Sequence, residues 1–254
     1  MRGEPLPAAD PPPIGGPVLV AQRWREVVLV HWAVDPRAVT PLLPAGTWPD
    51  TLDGQAHVGI VAFGIPGTYA FGRAPVGSAY EVNVRVYCVD EEGRHSTVFL
   101  RMDVSRPDMV LLARMLARML AWLPYTWSKI SFLNAGGTDS GSRSDFGYRC
   151  RPRLARGAPF ADLVVEPGPA IEAPTALEQF VTARWYLHQG HPLGTYRLPV
   201  AHRRWPLHRA RPVKIDDSPV RRTGLTPLDP SPLSVLWSPG VDAEFGPPRF
   251  CKAP

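Results

Sequence analysis

The sequence predicts an α+β chain dominated by antiparallel β-strands. About eleven short segments are rich in Val, Ile, Thr and aromatic residues, several alternate with period two, and turn residues separate them. The 31 prolines are spread along the chain and favour short strands and loops over long helices. Strands do not alternate regularly with helices, which disfavours a doubly wound parallel sheet. No repeat or linker divides the chain. Residues 18–254 are therefore expected to form a single domain behind a flexible, proline-rich tail over residues 1–17.

Trp24 to Trp32 reads as the first strand. Asp35-Pro36 then offers an N-cap and a proline at the first helical position, opening a short helix to Leu43. Gln55 to Ile65 is a strand expected to stop at Pro66-Gly67. Tyr80 to Val89 and His95 to Val104 form a hairpin across Asp90–Arg94. Ser105-Arg106-Pro107-Asp108 opens a helix whose broad apolar face includes Val110, Leu111, Met115, Met119 and Leu123, ended by Pro124. Thr126 to Leu133 and Phe146 to Arg153 flank the Gly/Ser-rich loop NAGGTDSGSRSD, which matches no nucleophile or phosphate-loop pattern. Phe160 to Glu166 is a strand, and Thr175–Glu178 a capping box for a short helix to about Arg184. Trp185 to Gln189, Thr195 to Ala201, Trp205 to Ile215 and Leu233 to Trp237 complete the strands.

Hydrophobic residues at 44% and charged residues at 20% exclude a disordered chain. No run reaches the ~18 apolar residues of a membrane span, because Arg114 and Arg118 interrupt Met109–Leu123, so no membrane partner is expected. The first residues, MRGEPLPAADPPPIGG, lack the apolar core of a signal peptide. Cys88, Cys150 and Cys251 are far apart and form no CxxC, which fits a reducing, cytoplasmic setting. The net charge of +5 comes from arginine, since Lys129, Lys214 and Lys252 are the only lysines. The densest basic stretch, Arg197 to Arg222, carries no nucleic-acid motif and reads as a solvated strand face, so no nucleic-acid partner is expected. The histidines are scattered without metal-ligand spacing, so neither a metal nor a cofactor is expected.

Tyr80 to Tyr87 carries the most chemistry. Alternation puts Val82, Val84 and Val86 on one face and Glu81, Asn83, Arg85 and Tyr87 on the other. An acid, an amide, a guanidinium and a phenol in one row suit the wall of a polar cavity, where a carboxylate moves protons and donors hold an anion. The same row also suits a wet outer face, and spacing alone does not choose between them.

The ordered segments WREVVLVHWAVDPRAVTPLLPAGT, LDGQAHVGIVAF, YEVNVRVY, LPYTWSKISF, LEQFVTARWYLH, HRRWPLHRA and LWSPGVD resemble the YqjF-like family across about residues 18–240. That family is similar in fold to acetoacetate decarboxylase. The resemblance implies a strongly curved antiparallel sheet closing into a barrel around a central pocket, with one long and one or two short helices. In the decarboxylase branch a lysine forms a Schiff base, and an arginine and a glutamate shape the pocket. Arg25-Glu26 and Glu81 resemble those two features. Where the branch has Pro-Lys-Lys, this chain has Pro124-Tyr125-Thr126, and no other side chain replaces the amine. Lys129, an even offset from Tyr125, shares its strand face.

These features imply a metal-independent enzyme for a small carbonyl or carboxylate ligand, working by lyase, dehydratase, aldol-type or cyclase chemistry. Glu81 is the expected acid/base, with Tyr125 and Arg25 as catalytic partners and Asn83, Arg85 and Lys129 binding the substrate. The alternative is a binding protein that kept the fold and lost the chemistry.

Overall fold

A computed structural model describes residues 5–108, 123–135, 145–153 and 160–251. The expected helix over Met109–Leu123 lies, except for Leu123, outside the described residues, as do residues 136–144 of the Gly/Ser-rich loop and Lys252. The strands are β1 (Val20–Val34), β2 (Thr47–Pro49), β3 (Ala56–Ala70), β4 (Ala74–Asp90), β5 (His95–Val104), β6 (Tyr125–Ala135) and β7 (Asp145–Pro152). They continue with β8 (Ala161–Ala170), β9 (Tyr186–His191), β10 (Gly194–His202), β11 (His208–Ile215), β12 (Ser234–Phe245) and β13 (Arg249–Phe250). Short helices α1 (Pro36–Val39), α2 (Ala176–Thr182) and α3 (Ser218–Arg221) join them.

The 13 strands of the described residues belong to one sheet, in the order β13-β10-β9-β5-β6-β7-β8-β11-β12-β1-β3-β4-β2. Additional pairings of β4 with β5 and of β10 with β12 close this order on itself, giving the strand-dominated α+β architecture that the sequence predicts. Pairing is antiparallel except where β5 meets β6 and β9.

β3 does not stop at Pro66-Gly67 as the sequence suggested but runs on to Ala70. A register shift between Ile65 and Thr68 absorbs the proline, whose missing N–H a bulge tolerates. β1 carries its own irregularity between Arg23 and Val28, where Glu26 has φ 52.

Val82, Val84 and Val86 are fully buried. They pack with Val28, Val30, Trp32, Val58 and Ile60 against Ile130, Tyr148, Leu163 and Val165. Burying each such valine stabilises by roughly 1.5–3 kcal/mol, which pins the alternation of β4 because a one-residue slip would turn the whole row outward. The opposite face of β1 and β3 carries Val27, Leu29, Val61 and Phe63, joined by Trp24 and Trp205. In α2, Thr175 Oγ1 accepts from Glu178 N and Glu178 Oε2 accepts from Thr175 N, completing the capping box read from the sequence. Residues of the N-terminal segment lie against the sheet: Gln179 donates to Pro7 O, Trp185 donates to Ala8 O, and Arg204 pairs with Asp10.

Candidate functional site

The polar row of β4 faces a cavity of about 300 Å³, lined by Glu81, Asn83 and Arg85. β3 adds Val61 and Phe63, β5 adds Thr97, Phe99 and Met102, and β6 adds Tyr125. Register brings these together: Asn83 lies opposite Val61 on one side and Met102 on the other, and Met102 pairs with Tyr125 in the parallel step to β6. That step is fastened by Asp103, whose buried carboxylate accepts from Ser128 Oγ of β6 at 2.5 Å and from Arg101 Nε at 2.6 Å.

Glu81 is 3% exposed, and Asn83 Nδ2 donates to its Oε1 at 2.8 Å. Burial pushes the Glu81 carboxyl up to about 7, against the smaller downward pull of the Asn83 hydrogen bond. Asn83 Oδ1 is buried with no partner among the described residues. Tyr125 is raised well above its ordinary value by burial and then by the neighbouring Glu81 and Tyr196, so its phenol stays protonated. The site thus combines a carboxyl that titrates near neutrality with a hydroxyl that remains a donor.

The other end of the row is cationic. Arg85 donates through Nε to Tyr87 Oη at 3.0 Å and through Nη2 to Val181 O at 2.9 Å. Arg184, which follows α2, lines the same cavity and is 5% exposed. Its Nε donates to Phe180 O, its Nη1 pairs with Asp50, and its guanidinium stacks over the rings of Tyr87 and Phe180. Beside them His31 is held well below its ordinary value by burial, then by Arg85, His57 and Arg184.

A third part of the cavity is aromatic. Trp24 and Trp205 stack with centroids 5.9 Å apart and planes 10° from parallel, and His202 packs on both. Burial lowers His202 to about 4 and keeps it neutral near neutral pH, although its bond to Arg203 O acts the other way. Among the described residues no group of three or more His, Cys, Asp or Glu side chains is arranged to hold a metal ion. No helix among them is long and apolar enough to cross a membrane.

Two expected residues are placed elsewhere. Arg25 does not line this cavity. The irregularity at Glu26 adds a residue to β1, so Trp24 shares the cavity side with Val27 while Arg25 turns away. It donates to Val241 O and Asp242 and borders a separate hollow with Glu26, Tyr80 and Tyr148. Lys129 shares the strand parity of Tyr125, but that face has reached solvent by residue 129. At ~3.3 Å per residue it is ~13 Å further along the strand. Four of the six expected residues therefore meet on one cavity, namely Glu81, Asn83, Arg85 and Tyr125.

Arg184, His202, Trp24 and Trp205 also line the cavity, and no sequence motif marks them as site residues. Arg184 sits in the segment LEQFVTARWYLH, and His202 and Trp205 both sit within HRRWPLHRA. Nothing in the spacing of these segments says that their chains meet. The basic run Arg197–Arg222, which contains HRRWPLHRA, is largely ion-paired: Arg209 with Glu178, Arg211 with Glu166, and Arg221 with Asp217.

Solved structures of enzymes share the fold. The enduracididine biosynthesis enzyme MppR complexed with pyruvate is 17% identical with a TM-score of 0.60, covering 96% of this chain and 91% of that one. Acetoacetate decarboxylase from Legionella pneumophila is 12% identical with a TM-score of 0.63, covering 92% and 87%. An acetoacetate decarboxylase-like enzyme from Sphingomonas wittichii RW1 is 13% identical with a TM-score of 0.60, covering 93% and 94%. At these identities the likeness shows the fold alone. The "Uncharacterized protein YqjF" of Bacillus subtilis (strain 168) is 29% identical over 121 residues, 43% of this chain and less than half (45%) of that relative's length. The profile of DUF2071, an uncharacterized conserved protein family (COG2071), matches residues 21–242, and the chain belongs to that family.

Proposed function

We propose that the protein is a metal-independent acid/base enzyme acting on a small carbonyl or carboxylate compound, without a Schiff-base lysine. The observation that carries this reading is Glu81, a buried carboxyl titrating at about 7 in a cavity wall beside a protonated Tyr125. A base poised near the working pH is best matched to taking and returning a proton. Glu81 removes a proton from the carbon next to a carbonyl. The C–H electron pair becomes the new C=C bond while the C=O π pair moves onto the carbonyl oxygen, and the Tyr125 hydroxyl donates to that oxygen as its charge grows. Asn83 Nδ2 holds the carboxylate in place. The enolate then loses a leaving group or attacks a second carbonyl, which covers dehydration, aldol-type and cyclisation outcomes. That a structural neighbour is complexed with pyruvate, and others are acetoacetate decarboxylases, supports a small carbonyl ligand. No lysine among the described residues lines the cavity, which supports a route other than an imine.

The test is deuterium exchange at carbons next to the carbonyl of a panel of oxo acids in heavy water, followed by proton NMR. Wild-type protein is expected to catalyse exchange and folded Glu81→Gln to lose ~10²–10⁴ of that rate. Borohydride added with the same compounds is expected to trap no adduct. Equal exchange in the two proteins would overturn the role of Glu81. The apolar lining supplied by Val61, Phe63, Phe99 and Met102 favours a second reading, a binding protein, to which saturable binding without exchange would point.

A further inference from the structure

We propose that the ligand of this cavity is a monoanionic acid whose carboxylate docks on Arg85 and Arg184, several carbons away from the carbonyl on which Glu81 acts. The inference rests on the acid/base reading of Glu81 and specifies its substrate class.

Distance comes first. Glu81 and Arg85 stand on one face of β4, four residues apart, which is ~13 Å along a strand. Their side chains do not close that gap, because each is tied to a different partner. Arg85 reaches to Tyr87 and to Val181, on the side away from Glu81, whereas Glu81 is tied to Asn83. Consistent with this separation, burial and Asn83 account for the shift of Glu81, and no guanidinium takes part in it. A three-carbon oxo acid reaches one end or the other but not both.

Charge comes second. Arg184 is offset by its ion pair with Asp50. Arg85 has no carboxylate in ion-pair range among the described residues, although it is only partly exposed. The cationic end therefore carries one uncompensated positive charge, suited to a single carboxylate rather than a phosphate dianion. Donors are also left over. Arg184 Nη2 is buried with no hydrogen-bond partner among the described residues, and the bonds of Arg85 use Nε and Nη2, leaving Nη1. Two guanidinium N–H groups from different elements can then grip one carboxylate. Between the two ends Asn83 is flanked by apolar side chains, with Phe99 opposite Arg85 and both Met102 and Val61 opposite Asn83. That middle fits methylene groups.

Tryptophan fluorescence reads occupancy, because Trp24 and Trp205 line the cavity. The probes are 7-oxooctanoate, its primary amide, pyruvate and hexyl phosphate. The long acid is expected to bind at least about tenfold more tightly than the amide, than pyruvate and than the phosphate. Arg85→Met, with its fold checked by circular dichroism, is expected to bind acid and amide alike. Glu81→Gln is expected to keep the wild-type preference for the acid. The proposal is overturned if the wild-type protein binds the amide, pyruvate or the phosphate as well as the long acid, or if folded Arg85→Met still prefers the acid. Loss of the preference in Glu81→Gln also overturns it. None of these readouts involves exchange, so a failure here is distinct from a failure of the acid/base reading.

Discussion

Burial and hydrogen bonding act on Glu81 unequally. Asn83 supplies one bond, and desolvation outweighs it. The same imbalance makes Glu81 a stability sensor. Its carboxyl titrates near 4.5 in the unfolded chain and at about 7 in the fold, so the folded state holds the proton more tightly. The resulting stabilisation is fully present below about pH 4.5 and is lost as pH rises through about 7. At about 1.4 kcal/mol per unit the loss is on the order of 3 kcal/mol. Denaturant unfolding of wild type and Glu81→Gln at about pH 4.5 and about pH 8 should show this loss in the wild type relative to the variant. Parallel pH dependence in the two proteins would place the Glu81 carboxyl in an environment no drier in the fold than in the unfolded chain.

At the level of elements, the irregular stretch of β1 decides which side chains the cavity receives. Trp24 faces inward and Arg25 outward because Glu26 takes a left-handed φ of 52 and adds a residue to the strand. The facing strand accommodates this with Gly240, which pairs with Arg25 at φ 117. A Cβ there would stand 1.9 Å from Trp24 O. Gly240→Ala should therefore lower stability by roughly 1–3 kcal/mol or more and move Trp24, visible together as an earlier thermal transition and altered tryptophan emission. An unchanged melting temperature and spectrum would mean the two strands can part without cost.

Across the whole molecule, the cationic end is held by residues distant in sequence. Asp50, between β2 and β3, accepts from His95 Nδ1 at 2.7 Å and pairs with Arg184. Burial alone would raise Asp50, but the His95 bond and Arg184 outweigh it and hold the carboxyl below its usual range. Removing one partner of a buried pair leaves an uncompensated charge and typically costs about 3–5 kcal/mol. Asp50→Ala should show a loss of that size in its unfolding free energy from denaturant titration. A loss within about 0.5 kcal/mol, the range of ordinary surface substitutions, would mean that water already screens Arg184.

The sequence by itself determined the strand-rich class, the hairpin of β4 and β5, the buried face of Val82, Val84 and Val86, the caps at Asp35 and Thr175, and the row of Glu81, Asn83 and Arg85. These follow from period-two alternation and from local hydrogen bonding, both of which act over a few residues. Whether the polar row met water or a cavity was decided by strands far away in the chain. So was the meeting of Glu81 with Tyr125, which needed the parallel pairing of β5 with β6. Arg25 reads as a site residue because Arg25-Glu26 resembles the Arg-Glu of the decarboxylase branch, but the positive φ of Glu26 turns it away from the cavity. Lys129 has the right parity, and parity fixes a face without fixing what covers it. Arg184 was hidden for the converse reason: its role comes from Asp50, Tyr87 and Phe180, whose approach depends on the closure of the sheet rather than on any spacing in the sequence.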